Sequence, residues 1–314
     1  METESSLESG ALDVADLDGP FDLQATLECG QSYCWRRADG EMYASLGAHG
    51  GDAWYETVVP PVAGVTDERQ LVRVRQVGNP DTGRLEWEST TDAVPLLTHL
   101  LRLDDDLEAI FDSLPDEPLV DRAIDAYYGL RLVRDPVFPC LVSFICSAQM
   151  RVSRIQRMQE AMAREFGESL TVDGRTYRAF PTPEALAART EDDLRELKLG
   201  YRAPYVRRTA EMVATGEADP RAAAALPYEE AREHLTAFVG VGEKVADCVL
   251  LFSLGFAEAV PLDTWIRTAI AEHFSGCDRG GYTETSRAIR ERLGGEYAGY
   301  AQTYVFNHLR TGGE

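Results

Sequence analysis

Residues 235–265, LTAFVGVGEKVADCVLLFSLGFAEAVPLDTW, run from an apolar-Gly-apolar-Gly bend (Val239, Gly240, Val241, Gly242) through Lys244 to Asp263. Gly240 and Gly242 permit positive φ and let the backbone pass close to a partner. Glu243 then opens a predicted helix with Val245, Val249 and Phe252 on one face. The first amides of a helix have no internal acceptor and are open to an anion such as a phosphate. Lys244 sits in that first turn, where apolar neighbours and the positive helix end both disfavour an ammonium. A neutral amine is a nucleophile that can form a Schiff base with a carbon at the aldehyde oxidation level. Asp263 follows 19 residues after the lysine, a length that suits one helix and a return loop, so the two side chains can face each other. Its expected work is to stabilise positive charge opposite the lysine, or to move a proton. A structural turn followed by a solvated lysine is the plain alternative. Composition weighs against it: Lys198 and Lys244 are the only lysines among 314 residues, beside 29 arginines.

The length suits two domains, and 44% apolar residues are enough to build cores. The formal net charge is −22, with an isoelectric point near 4.6. That is the wrong sign for a nucleic-acid partner unless the binding face is locally basic. The charge is indeed uneven. Residues 1–20 carry six acids and no base, whereas 136–159 carry no acid and three arginines, and 197–210 carry no acid and four bases. Acidic, lysine-poor surfaces are those of halophilic proteins. The six cysteines contain no CxxC pair, so no metal or iron–sulfur cluster is expected; Cys140, Cys146 and Cys248 lie in apolar runs, as buried thiols do. No signal peptide or membrane span is expected, which points to a soluble cytoplasmic chain.

Residues 1–18 are acidic and polar, so a frayed start is expected. Short β-rich runs at 42–46, 54–59, 71–77 and 84–87 predict an antiparallel sheet, with helices following at 92–101 and 105–114. A boundary falls at 113–118. Beyond it the pattern is helical throughout, with helices expected at 153–166, 183–188, 191–198, 205–215, 228–238, 243–254, 264–274, 283–293 and 297–309. The fold class is therefore α+β: an N-terminal antiparallel sheet domain with two helices (1–117), then a mainly α-helical domain (118–314).

Four further segments combine with the central one. The central stretch resembles the helix-hairpin-helix glycosylase/lyase motif. DPVFPCLVSFICSAQMRVSRI (135–155), LGYRAPYV (199–206), LECGQSYCWR (27–36) and YAQTYVF (300–306) resemble 8-oxoguanine DNA glycosylases, loosely in the sheet domain and closely in the helical one. The resemblance implies a base-excision enzyme acting on damaged duplex DNA as a monomer on the nucleoid. It allows at most a monovalent cation at the hairpin and no other cofactor. Lys244 matches the Schiff-base lysine and Asp263 the essential aspartate. Gly30 matches the glycine whose carbonyl accepts the extra N–H of 8-oxoguanine, Cys248 and Phe306 the pair that sandwiches the flipped base, and Gln302 the reader of its Watson–Crick edge. Tyr201 matches the wedge in the vacated stack, and Arg154 and Arg202 the arginines that hold the orphaned cytosine. The hairpin residues Val239, Gly240, Val241 and Gly242 would clamp phosphate without reading sequence. Extrusion is needed because the reacting atom is out of reach in a duplex, at a cost of roughly a few kcal/mol.

Without the resemblance, Cys248 and Phe306 read equally well as core residues and Gly30 as a turn glycine. The chain also departs from the family pattern. Ala148, Gln149 and Met150 stand where asparagines are usual; Gln149 can still bond a base, but strict preference for an opposing cytosine does not carry over. Trp265 replaces a histidine, which removes one expected backbone contact, and Val239 replaces the usual hairpin proline. Two rivals stay open: an alkylated-purine glycosylase on the same architecture, which needs no lysine, and a non-catalytic helix-hairpin-helix DNA-binding module.

Overall fold

The computed structural model describes residues 6–44 and 52–313. Five antiparallel strands form one sheet in the order β1-β5-β4-β3-β2: β1 (Glu8–Asp13), β2 (Arg36–Arg37), β3 (Tyr55–Val59), β4 (Gln70–Val77) and β5 (Arg84–Ser89). The expected fraying of residues 1–18 is corrected at Glu8–Asp13, which pairs with β5 from Glu8↔Ser89 to Asp13↔Arg84. Gly10 makes that edge possible. A Cβ there would lie 2.4 Å from the Trp87 ring, so only glycine lets the strand lie over the indole. The strand expected at 42–46 is also corrected. Residues 42–44 are a turn, Tyr43 has φ +66°, and its amide donates to the buried Glu28 carboxylate at 2.7 Å; residues 45 and 46 lie outside the described residues.

A short helix α1 (Leu23–Glu28) was not legible as a periodic pattern; Asp22 caps it by accepting from the Ala25 amide. Helices α2 (Val94–Leu100) and α3 (Leu107–Ser113) follow the sheet as expected. Trp35, Tyr55, Val72, Val74 and Leu85 bury one face of the sheet against Phe21, Leu27, Leu97 and Leu101.

From α4 (Pro118–Ala126) onward the chain is mainly helical. α5 (Val137–Ile145) is apolar nearly all round and buried on most sides, which hides its amphipathic signature. α6 (Val152–Phe166) buries Ile155, Met158 and Met162 on one stripe. The expectation of helix throughout fails at β6 (Ser169–Val172) and β7 (Arg175–Arg178). Asp173 and Gly174 both have positive φ, the two-residue turn that matches strand twist. The remaining helices are α7 (Pro183–Ala187), α8 (Glu191–Glu196), α9 (Ala203–Ala214), α10 (Tyr228–Thr236), α11 (Glu243–Phe252), α12 (Thr264–Glu272), α13 (Tyr282–Arg292) and α14 (Ala298–Arg310). They share one large core with Cys29, Tyr33, Leu107 and Ile110 from the sheet side, so the N-terminal segment lies directly against the helices.

Arg131 welds that junction. Its fully buried guanidinium donates to the backbone carbonyls of Asp18, Gly19, Pro20 and Arg102, at 2.9–3.2 Å. Planar, multiply donating arginine suits such a ring of acceptors. Arg131→Met removes a donor from each of these carbonyls, although Asp18 and Arg102 keep the amides of Leu107 and Asp105, and is expected to cost about 2 kcal/mol or more of unfolding free energy. Urea unfolding of the two chains measures this, and a loss under about 1 kcal/mol would contradict it.

Candidate active site

The hairpin between α10 and α11 is built by packing. Gly240 has φ +85°, and a Cβ on it would meet Tyr205 at 2.7 Å, so the left-handed turn and the close approach both require glycine. Thr209 Oγ1 donates to the Val239 carbonyl at 2.8 Å, Val241 is buried, and Val239 is 37% exposed at the tip. Gly242 departs from expectation: its φ is −96° with extended ψ, a conformation open to any residue. As N-cap of α11 it offers no side chain, which leaves the first-turn amides open to an anion. The Phe238 and Val239 carbonyls each already accept one hydrogen bond, so a cation at the hairpin would have to use their second lone pairs.

Behind the hairpin lies a cleft of about 1010 Å³. Nine residues singled out from sequence line it: Gly30, Gln149, Gly242, Lys244, Cys248, Asp263, Trp265, Gln302 and Phe306. Lys244 enters it half-buried from α11. Its Nζ donates to Ser147 Oγ at 3.1 Å and lies 5.4 Å from the Phe144 ring centroid. Asp263 caps α12, with Oδ1 accepting from the Ile266 amide at 2.8 Å. Burial raises the Asp263 carboxyl above its usual range, opposed by that amide and by the charge of Lys244. Amine and carboxylate thus feel each other's charge, while each makes its close contact elsewhere.

One wall of the cleft brings together Gly30, Cys248, Gln302 and Phe306. Gly30 has φ +96°, and a Cβ there would lie 2.8 Å from Val152 and 3.5 Å from Phe306. Cys248 is buried, its thiol pushed up to about 12 by burial against the opposing pull of Lys244. Gln302 is buried within α14, and Trp265 stands 41% exposed at the start of α12. Gln149 holds φ +55° on the exposed turn after α5.

The remaining candidates lie outside the cleft lining. Tyr201 is 57% exposed and packs edge-on to Tyr205, the residue under Gly240, so the tyrosine and the hairpin tip form one continuous face. Arg202 is buried; its guanidinium stacks 4.2 Å from the Tyr201 ring and donates to the Ala148 carbonyl, next to Gln149. Arg154 is exposed on α6, and Arg151 is the arginine of that segment that lines the cleft.

Sequence reasoning missed three residues here. Ser147 carries no signal of its own; only its place after the apolar α5 aims it at the lysine. Asp247 is fully buried on α11 and accepts from Tyr228 and Tyr282, each at 2.7 Å. The Tyr282 hydroxyl in turn accepts from the Leu262 amide at 3.1 Å, tying the residue before Asp263 to the lysine helix. Asp135 accepts from Ser32 Oγ at 2.9 Å. Nothing in the sequence alone marks either acid as buried.

Burial pushes the carboxyls of Asp135 and Asp247 up to about 7. The unfolded carboxyls titrate near about 3.9, so between these values the folded chain holds protons that the unfolded chain has lost. The contribution of these two carboxyls to stability therefore falls as pH rises through that window. Asp135→Asn keeps the acceptor for Ser32 and removes that residue's share of the slope. The melting temperature of the variant minus that of wild type should grow more positive from about pH 5 to about pH 7. A difference that stays flat across this range would show that Asp135 holds no extra proton.

Residues 142–294 match the family described as the HhH-GPD superfamily of base excision DNA repair proteins. Residues 14–141 match the N-terminal domain of 8-oxoguanine DNA glycosylase. A probable N-glycosylase/DNA lyase of Methanothermobacter thermautotrophicus is 34% identical, over 94% of this chain and 95% of its own. The N-glycosylase/DNA lyase of Saccharomyces cerevisiae is 32% identical over 78% of this chain and 66% of its own. Among solved structures, the Clostridium acetobutylicum 8-oxoguanine glycosylase/lyase in complex with double-stranded DNA superposes with a TM-score of 0.78. It is 27% identical, covering 94% of this chain and 93% of the other. The chain belongs to the N-glycosylase/DNA lyase family of HhH-GPD base excision DNA repair proteins, and carries the N-terminal domain of the 8-oxoguanine DNA glycosylases.

Proposed function

We propose that the chain extrudes 8-oxoguanine from duplex DNA, excises it and nicks the strand through a covalent lysine intermediate. The observation that carries this reading is the single cleft holding Lys244, Asp263 and Gly30 together. Lys244 Nζ attacks C1′ as the C1′–N9 bond breaks and the base departs with the bonding electrons. Asp263 stabilises the cationic sugar. The sugar opens to an iminium on Lys244, loss of a C2′ proton expels the 3′ phosphate, and water then releases the lysine. The Gly30 carbonyl accepts the N7–H that guanine lacks, Gln302 reads the pairing edge, and Cys248 and Phe306 hold the ring between them. Tyr201 fills the vacated stack, while Gln149, Arg154 and Arg202 face the widowed base. Val239, Gly240, Val241, Gly242 and Trp265 hold the backbone, and no step calls on a cofactor. The division at 117/118, action as a monomer, and a place on the cytoplasmic nucleoid belong to the same proposal. No described helix is long and apolar enough to cross a membrane.

Borohydride trapping on an 8-oxoguanine duplex tests the covalent step. Wild type should give a protein–DNA adduct, and Lys244→Gln none. Absence of adduct with wild type, or an equal adduct with Lys244→Gln, ends the proposal. One observation favours a second reading: Phe144, Phe252, Trp265 and Phe306 give the cleft aromatic walls on which any purine could stack. Release of 3-methyladenine that survives Lys244→Ala would select the alkylated-purine enzyme. Duplex binding without nicking or lesion preference would select a binding module.

We further propose that the net charge of −22 is an adaptation to high salt. Phosphate contacts lose affinity steeply with salt because the gain comes from counterion release, by about 0.9 log units per contact for each log unit of salt. Binding that rests on the base pocket and the Tyr201 wedge avoids that loss. Affinity for lesion duplex measured across a potassium chloride series should show a shallow slope; a steep one would assign the acidic surface another purpose.

A further inference from the structure

We infer that Asp135 is a positioning residue that sets the base-reading loop of Gly30 against the helix of Lys244, and so governs base excision without touching DNA. This inference rests on the base-excision reading above. Asp135 does not line the cleft, yet three contacts join it to both walls. Ser32 Oγ, two residues after Gly30, donates to Asp135 Oδ1 at 2.9 Å with both residues buried. The Asp135 amide donates to the Phe252 carbonyl at 2.8 Å, and Ser253 Oγ donates to the Asp135 carbonyl at 2.6 Å. Phe252 lies one turn beyond Cys248 on α11 and itself lines the cleft.

Gln31 extends the same clamp. Its Nε2 donates to the Thr26 and Arg131 carbonyls at 2.8 and 2.7 Å, and its Oε1 accepts from the Val133 amide at 3.1 Å. The loop from Gly30 to Ser32 is therefore stapled side chain by side chain to the 131–135 segment. Asp135 is the point where that segment also grips the end of the lysine helix. A Cβ on Gly30 would lie 2.8 Å from Val152, so its loop is packed closely there, and a small shift of it alters the cleft lining that Gly30 shares with Cys248 and Phe306. An abasic site presents no base to that lining and needs only the amine. Loosening the clamp should therefore separate two activities of one cleft.

The test compares single-turnover excision of 8-oxoguanine with nicking of an abasic-site duplex, in wild type, Ser32→Ala, Asp135→Ala and Asp135→Asn. The ratio of excision to abasic nicking is expected to fall about tenfold in both alanine variants, the scale of a sub-ångström to ångström misplacement in an active site. Asp135→Asn keeps an acceptor for Ser32 and should restore the wild-type ratio. A ratio within about threefold of wild type in Ser32→Ala, a change too small for displaced recognition groups, overturns the inference, and so does parallel loss of both activities. Ser32→Ala deletes one hydroxyl and decides the matter if Asp135→Ala does not fold. Should wild type nick abasic sites yet release no 8-oxoguanine, the base assignment is at fault. The same ratio is then read with a 3-methyladenine duplex.

Discussion

The geometry depends on how one amine is held. Lys244 Nζ is bonded to the hydroxyl of Ser147, a neutral partner, while the Asp263 carboxylate in the same cleft spends a lone pair on the first turn of α12. A direct contact between the two would strengthen the charge coupling that already acts on Asp263. The Ser147 hydroxyl instead holds the amine through a neutral hydrogen bond. Two packed helices make the arrangement possible: α5 leads into the turn that holds Ser147, α11 carries Lys244 in its first turn, and Phe144 and Phe252 stack between them at 5.6 Å.

The hairpin is the second requirement, and packing explains it better than backbone freedom does. Of its two glycines, Gly240 has the positive φ and the close neighbour, whereas Gly242 is extended with open space where a Cβ would be. Gly242 leaves α11 without a side-chain cap, so the first-turn amides stay open to an anion. The close approach of Gly240 to Tyr205, and of Tyr205 to Tyr201, then links the hairpin turn to the exposed tyrosine in one packed patch.

Much of the architecture was legible because the helices after residue 118 announce themselves by apolar spacing and end signals: α6 shows its stripe of Ile155, Met158 and Met162 openly. What escaped has physical reasons. α5 is apolar on every side and shows no period. α1 is too short for one. The β6–β7 turn is an Asp-Gly pair whose meaning depends on the strands around it. At the site, Lys244 could be named because lysine is rare in this composition, and Asp263 because it follows 19 residues later within a stretch that resembles a known motif. Ser147, Asp135 and Asp247 could not, since their partners come from 97, 103 and 19 or more residues away. No local pattern marks an acid as buried when its donors arrive through tertiary packing. Arg202 shows the reverse case: the sequence marks it as basic, and the fold buries its guanidinium against Tyr201 and the Ala148 carbonyl.

The two buried acids also explain how an acidic chain can host this site. Asp247 ties the Asp263 loop to α11 through Tyr282, and Asp135 ties the Gly30 loop to the far end of the same helix. Burial raises both carboxyls well above the usual carboxylate range, which disfavours a negative charge beneath the cleft. The many surface carboxylates are screened within about 10 Å at 0.1 M ionic strength, and within less at higher salt. The potential at the hairpin is therefore set by near groups: the α11 amides, Lys244, the Glu243 carboxylate in the same turn, and the acid-free segments around Arg151 and Arg202. Net charge describes the chain at a distance, and the cleft is governed by what lies within a few ångströms of it.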